Sequence, residues 1–216
     1  IEEDVQGIAI SSYQGGHIEF LKYMVDLLKE RGAPHIKIFG GGGGVIVPEE
    51  IRELESYGVA KIYSPEDGAK MGLQGMINHM VESLDFSTVN GGKFDFNNLT
   101  PDNKPLIANL ITALAQAKSM GNGQAENILS KLSKTGHAHT PTVIGVTGTG
   151  GAGKSSLMDE LILRILNDFP EIRIALICSD PTRRKTGGAL LGDRIRMNAI
   201  NSPRIYMRSL ATRKSN

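Results

Sequence analysis

Eight consecutive residues, Gly148-Thr149-Gly150-Gly151-Ala152-Gly153-Lys154-Ser155, match G-x-x-x-x-G-K-[ST] in full, with an apolar run before them and an amphipathic helical pattern after them. Glycine at 148, 150, 151 and 153, with only Thr149 and Ala152 between, lets the chain wrap so that successive N–H groups point at a phosphate. The loop opens a helix whose N-terminal dipole favours negative charge. Lys154 is then the catalytic cation bridging β- and γ-phosphates, Ser155 sets its hydroxyl on Mg²⁺, and Ser156 extends the same nucleotide-binding turn. Downstream, a strand over 172–177 delivers Cys178-Ser179-Asp180 to its C-terminal end, the edge where α/β sheets bind ligands, so Asp180 is placed to reach the metal or its water shell. Asp193 follows the segment Arg183-Arg184-Lys185-Thr186-Gly187-Gly188, whose cations can face phosphate. The competing reading of that segment is a solvated charged loop. Arg194 and Arg196 flank Asp193, either within reach of a nucleotide, whereas Cys178 only packs at a strand end.

A second pair of loops lies in the first half of the chain. The run Gly40 to Gly44 follows a β-type segment and soon leads into a helix, which favours close backbone approach to a ligand over a plain turn or linker. Ser11-Ser12-Tyr13-Gln14-Gly15-Gly16 ends the neighbouring strand with small hydroxyls and glycines, and two such loops side by side form a crevice. His17 is a structural or capping histidine at a helix start rather than a ligand. Met24, Met71, Met76 and Met80 fill core or interface space.

Short apolar runs alternating with helical patterns position these loops. Strands are expected over 7–12, 35–39 and 61–63, with helices over 18–31, 48–57 and from the Ser64-Pro65-Glu66-Asp67-Gly68 turn to about Leu84. Gly32 and Gly58 stop the first two helices, and Pro48 suits a first helical position. This β-α-β-α-β-α order is that of a doubly wound parallel sheet. Residues 85–140 read as a helical linker with a loop-rich entry, carrying helices over about 100–120 and 124–134 with Gly121-Asn122-Gly123 as breaker. A new βα unit then begins, with a strand over 143–146, the glycine loop, a helix over 154–168 and the strand over 172–177. The expected division is therefore 1–84, 85–140 and 141–216, all of α/β class.

Composition narrows the function classes. The 216 residues carry 24 Lys+Arg against 23 Asp+Glu, a net charge of +1, so no global field draws nucleic acid or an anionic membrane. One cysteine permits no internal disulfide, and no apolar run nears the ~18 residues of a membrane span. Residues 1–20 lack the order of a signal peptide. A cytoplasmic setting is expected. The chain opens on Ile1 within an acidic run and closes after a basic one, so a piece of a longer protein is also expected.

The loop Ser11-Ser12-Tyr13-Gln14-Gly15-Gly16-His17, the Gly40 to Gly44 loop with Val45-Ile46-Val47-Pro48, and Ile62-Tyr63-Ser64-Pro65-Glu66-Asp67-Gly68 resemble the later half of the cobalamin-binding domain of acyl-CoA mutases. The phosphate loop together with Asp180-Pro181-Thr182 and the following segment to Arg194 is similar to the G-protein chaperones of those mutases, the methylmalonyl-CoA mutase chaperone family. Both modules in this order resemble mutases fused to their chaperone, over nearly the whole chain. The resemblance implies a partial flavodoxin-like cobalamin-binding domain, a helical linker and the start of a P-loop GTPase domain. It implies that Ser11, Ser12 and the Gly41, Gly42 and Gly43 backbone line the slot for the cobalamin nucleotide tail, with Ser64 and Pro65 at its rim. It implies further that Ser155, Asp180 and Asp193 serve Mg²⁺, that the loop holds GTP, and that Arg196 contacts the nucleotide.

The activity so implied is adenosylcobalamin-dependent interconversion of isobutyryl-CoA and n-butyryl-CoA in a homodimeric full-length enzyme, with GTP hydrolysis gating cofactor loading. Acyl-CoA would bind a mutase domain outside this chain. The family's D-x-H-x-x-G motif does not occur here, and neither D-x-x-G nor N-K-x-D follows the phosphate loop, so the cobalt-ligating histidine is not in this chain, guanine preference rests on resemblance, and the piece alone should isomerise nothing. Two other readings remain: a freestanding P-loop ATPase or phosphotransferase with a flavodoxin-like regulatory module, and a first half that is a plain interaction domain. The P-loop part ends 61 residues after Ser155, so exposed apolar edges are expected in it.

Overall fold

The computed structural model describes residues 1–89, 94–120, 124–134, 141–181, 194 and 196–212. Two compact units emerge, one built mainly on Glu3–Phe94, the other on Asp95–Ala108 and Leu114–Asn216.

In the first unit, β1 (Gly7–Ser11), β2 (Lys37–Gly41) and β3 (Lys61–Tyr63) form a parallel sheet in the order β1-β2-β3. Helices α1 (His17–Glu30), α2 (Pro48–Tyr57) and α3 (Pro65–Ser83) follow the strands in turn, as the alternating pattern predicts. Period-two alternation along the strands divides the sheet. Ile8, Ile10, Ile38 and Ile62 pack with Leu21, Val25 and Leu28 of α1 and Leu54 of α2 into the main core. The opposite face carries Ala9, Ser11, Phe39, Gly41, Lys61 and Tyr63, through the pairings Ala9 with Phe39 and Gly41 with Tyr63. No described residue of α3 is fully buried. Its expected straight run to Leu84 is broken at Gly72, whose φ of 63° and ψ of 174° lie where only glycine is at ease.

Helices α4 (Lys104–Met120) and α5 (Gln124–Lys134) follow, and the second unit takes both except for Asn109–Ala113 of α4. α4 begins later than the sequence suggests, because the Asn103 side chain accepts the Leu106 N–H at 3.2 Å and Pro105 fits the first turn. α6 (Lys154–Asp168) follows the glycine loop as expected. β4 (Ile174–Pro181) lies two residues later than predicted at its start, and β5 (Ile205–Thr212), parallel to it, was not anticipated. Ile162 and Leu166 of α6, Met197, Ala199, Ile205 and Met207 make this core, and Cys178 packs against it as expected.

The strand predicted over 143–146 does not form. Val143 is 86% and Ile144 65% exposed, and among the described residues no strand pairs with them, so the backbone lacks the ladder that would hold it extended. The breaker 121–123 and the charged segment 183–188 lie outside the described residues, as do Pro181's neighbours 182–193.

Asp159 ties α6 to the turn Ala199–Asn201: its carboxylate accepts from Ala199 N at 2.8 Å and Asn198 Nδ2 at 3.1 Å. Burial alone would raise its pKa, but these hydrogen bonds outweigh burial and hold the carboxyl below its ordinary value. Its stabilising contribution is therefore full above the unfolded carboxylate pKa and is lost as pH falls through the lower folded value. Asp159→Ala leaves a buried N–H without its acceptor and should cost about 1–3 kcal/mol. Urea unfolding at neutral pH and below the carboxylate range should show that deficit shrinking in acid; a deficit that does not change with pH would contradict the assignment.

Candidate functional site

Two places combine bare backbone with a strand's C-terminal end, one in each unit. In the first unit a cleft of about 540 Å³ opens on the face opposite the main core. Ser11, Gly41, Gly42 and Gly43 of the two loops line it, together with Ser64 and Pro65, which the family resemblance puts at its rim. Ser12 does not. Its N–H donates to Gly41 O at 2.9 Å and its hydroxyl to Gln14 O at 3.3 Å, so it braces one loop against the other behind the wall.

The glycines there differ in what they permit. A Cβ on Gly42 would stand 2.6 Å from the backbone Ser12 O and 2.9 Å from Ile46 Cγ1, so the loops can pass only because that atom is missing. A Cβ on Gly41 would meet only Tyr63 O, at 3.6 Å, an ordinary contact. Gly41 is thus bare toward the cleft and not for want of room. The row from Gly41 to Gly43 leaves a cradle that side chains would fill.

Ser64 serves two purposes. Its hydroxyl accepts the Asp67 N–H at 3.1 Å and its own N–H donates to Asp67 Oδ2 at 2.9 Å, a reciprocal cap that fixes where α3 begins at the rim. The Ser64 N–H is the largest cause holding the Asp67 carboxyl below its usual value, with the Ser64 hydroxyl and Lys61 lowering it further. His17 is structural, as anticipated: buried, with Nε2 at 3.0 Å from Glu50 Oε2 and Nδ1 at 3.4 Å from Gln14 O. Glu50 also accepts the Val47 N–H at 3.0 Å, and that bond first, then His17, lowers its pKa.

Sequence reasoning missed the cleft's apolar wall. Tyr63 stacks on Phe39, ring centroids 6.5 Å apart and planes at 14°. Met76 and Met80 come across from α3 and line the cleft, so these two methionines face a cavity and not the sheet's main core. The i, i+4 spacing of 76 and 80 on a helix was the available signal.

In the second unit, the loop Gly148 to Gly153 runs exposed into α6, whose cap residue Gly153 takes a left-handed φ of 80°. Lys154 folds back under it and donates from Nζ to Gly148 O at 2.9 Å and Thr149 O at 2.7 Å. The loop is thereby shaped around its own cation, at the end of α6 where the helix dipole favours negative charge. Ser155 is half-buried and Ser156 exposed on that first turn. Asp180 stands near the end of β4, paired in register with Ala211. Asp193 lies outside the described residues, and Arg196 is exposed. Arg194 is engaged structurally: Nη1 donates to Glu2 Oε2 at 2.8 Å and Nη2 to Met207 O, so it is not held for a nucleotide. Among the described residues no cluster of three or more His, Cys, Asp or Glu side chains could hold a metal ion. One serine hydroxyl at a phosphate loop suits Mg²⁺ all the same, because that ion takes one or two protein ligands and completes its shell with phosphate and water.

Residues 107–216 match the family described as methylmalonyl Co-A mutase-associated GTPase MeaB. Over its whole length the chain is 59% identical across 220 residues to the fused isobutyryl-CoA mutase of Geobacillus kaustophilus (strain HTA426), covering 20% of that protein. It is 57% identical across 217 residues to the fused isobutyryl-CoA mutase of Cupriavidus metallidurans, covering 19% of it. Half of the chain, 54%, is 30% identical to a methylmalonic aciduria type A homolog, mitochondrial, of Caenorhabditis briggsae, covering 30% of that protein. The chain spans about a fifth of the length of the fused mutases it matches.

Proposed function

The chain belongs to the family of methylmalonyl-CoA mutase-associated GTPases, and on that premise we propose that it is the junction of an adenosylcobalamin-dependent acyl-CoA mutase with its GTP-hydrolysing chaperone. Residues 1–84 are the later part of the cobalamin-binding domain, 85–140 the linker and 141–216 the beginning of the GTPase domain. The cleft takes the nucleotide tail of the cofactor: Gly41, Gly42 and Gly43 supply bare backbone, Ser11 and Ser64 polar edges, and Tyr63 and Phe39 an aromatic floor. Adenosylcobalamin supplies radical chemistry through its Co–C bond, and the protein's part is positioning and protection. The phosphate loop holds GTP. Lys154 exchanges its two carbonyl acceptors for phosphate oxygens, the α6 N-terminus adds its dipole, and Ser155 with Asp180 and Asp193 serves Mg²⁺.

The observation that carries this reading is a bare-backbone cleft and a phosphate loop on one chain that is 59% identical, end to end, to a fused isobutyryl-CoA mutase. In the full-length protein the reaction is interconversion of isobutyryl-CoA and n-butyryl-CoA, the acyl-CoA sits in a separate mutase domain, the enzyme is a homodimer, and GTP hydrolysis gates cofactor loading. No helix among the described residues is long and apolar enough to cross a membrane.

The test is a pair of titrations on the full-length protein. Adenosylcobalamin uptake followed by visible absorbance should saturate, and GTP should be hydrolysed in preference to ATP. Hydrolysis of ATP with no corrinoid uptake would replace this reading by that of a P-loop ATPase.

A further inference from the structure

The second half of α3 covers the cleft on very little support. No α3 residue is fully buried, and Leu73 and Ile77, both at the cleft, are 72% and 44% exposed. At Gly72 the chain turns through a conformation only glycine adopts readily, yet a Cβ there would meet nothing within 4 Å. Gly72 thus permits the turn, and Gly75, where a Cβ would stand 2.8 Å from Met71 Cβ, is bare where the two halves of α3 come close. Beside the side chains that line the cleft, residues 73–83 are tied down by a few polar contacts: Tyr63 Oη donates to Met76 O at 3.2 Å and lies 2.8 Å from His79 Nδ1, and Lys37 Nζ donates to Ser83 O at 2.7 Å. The Tyr63 and His79 rings meet edge-on, centroids 5.9 Å apart.

We propose that residues 73–83 are a hinged cover. The bent helix is the closed state, Gly72 is the hinge, and the Tyr63 hydroxyl is the latch. Straightening α3 carries Met76 and Met80 off the cleft and admits a guest, and closing returns them to its flank. The hinge is argued from the geometry of α3 alone; that the guest is cobalamin rests on the function proposed above. Tyr63 acts here as a positioning residue.

Spin labels at positions 66 and 82 of the full-length protein report the bend. A straight helix separates these positions by roughly 24 Å at its rise of 1.5 Å per residue, and the bent form brings them closer. The wild type should show mostly the shorter distance. Tyr63→Phe keeps the ring and loses the hydroxyl, and should raise the long-distance fraction roughly five- to tenfold. Gly72→Ala, which disfavours the bend, should shift the distribution to the long distance; if that variant does not fold, Tyr63→Phe decides. Adenosylcobalamin should collapse the wild-type distribution onto the short distance. Distances identical in wild type and both variants overturn the cover. A response to the variants with no corrinoid uptake keeps the cover and removes cobalamin as its guest. Uptake at an unmoved mixture of distances sinks the cover and leaves the cobalamin assignment standing.

Discussion

Lys154→Ala should cut GTP hydrolysis by a factor on the order of 10²–10³, the usual loss when a preplaced charge stabiliser is removed from the reacting group. Adenosylcobalamin uptake should persist in the same variant, because the cleft and the phosphate loop are built from different elements in different units. The direct effect on the fold is small. Lys154 Nζ bonds two carbonyls of an exposed loop, and its loss leaves those carbonyls to water. Single-turnover hydrolysis and a visible-absorbance titration of one preparation decide the matter. Parallel loss of both activities would argue against two separable sites.

Gly41→Leu should weaken adenosylcobalamin binding by roughly 10- to 100-fold, in line with the 1–3 kcal/mol cost of forcing extra methylenes into filled space. Position 41 is better suited to this than position 42. At 42 a side chain collides with the Ser12 carbonyl and breaks the junction of the two loops, so lost binding there would report a damaged loop. At 41 the Cβ is tolerated and only the cleft is obstructed. Cobinamide, which lacks the nucleotide tail, should bind the variant and the wild type alike. Equal loss for both corrinoids would remove the tail from this cleft, and unchanged affinity for both would remove cobalamin altogether.

Contiguity explains which parts were legible in the sequence. The phosphate loop is written in eight consecutive residues, and the three βα repeats of the first unit follow from apolar runs punctuated by Gly32, Pro48 and Gly58. The cleft's polar half was visible for the same reason, as two loops each ending a strand. Its apolar half is assembled from Phe39 on β2, Tyr63 on β3 and Met76 and Met80 on α3, which no local pattern connects. The bend at Gly72 was missed because each of the three glycines of α3, at 68, 72 and 75, reads by itself as a modest propensity cost and none is singled out as the turn. Residues 143–146 show the reverse failure: their apolar character predicts a strand, but a strand exists only when a neighbour completes its ladder. β5 was passed over although Ile205 and Met207 alternate inward, because Arg208 beside them is a charge that proves to be buried.

The three-stranded sheet has a packed interior against α1 and α2 and, on its Phe39 side, only the lightly seated α3. A molecule lodged on that side acts as the absent half of an interior. Occupancy then becomes a source of heat resistance, worth about 2.7 kcal/mol when the guest is present at a hundred times its dissociation constant. Cargo and scaffold would be mutually dependent, with the emptied form the more fragile of the two.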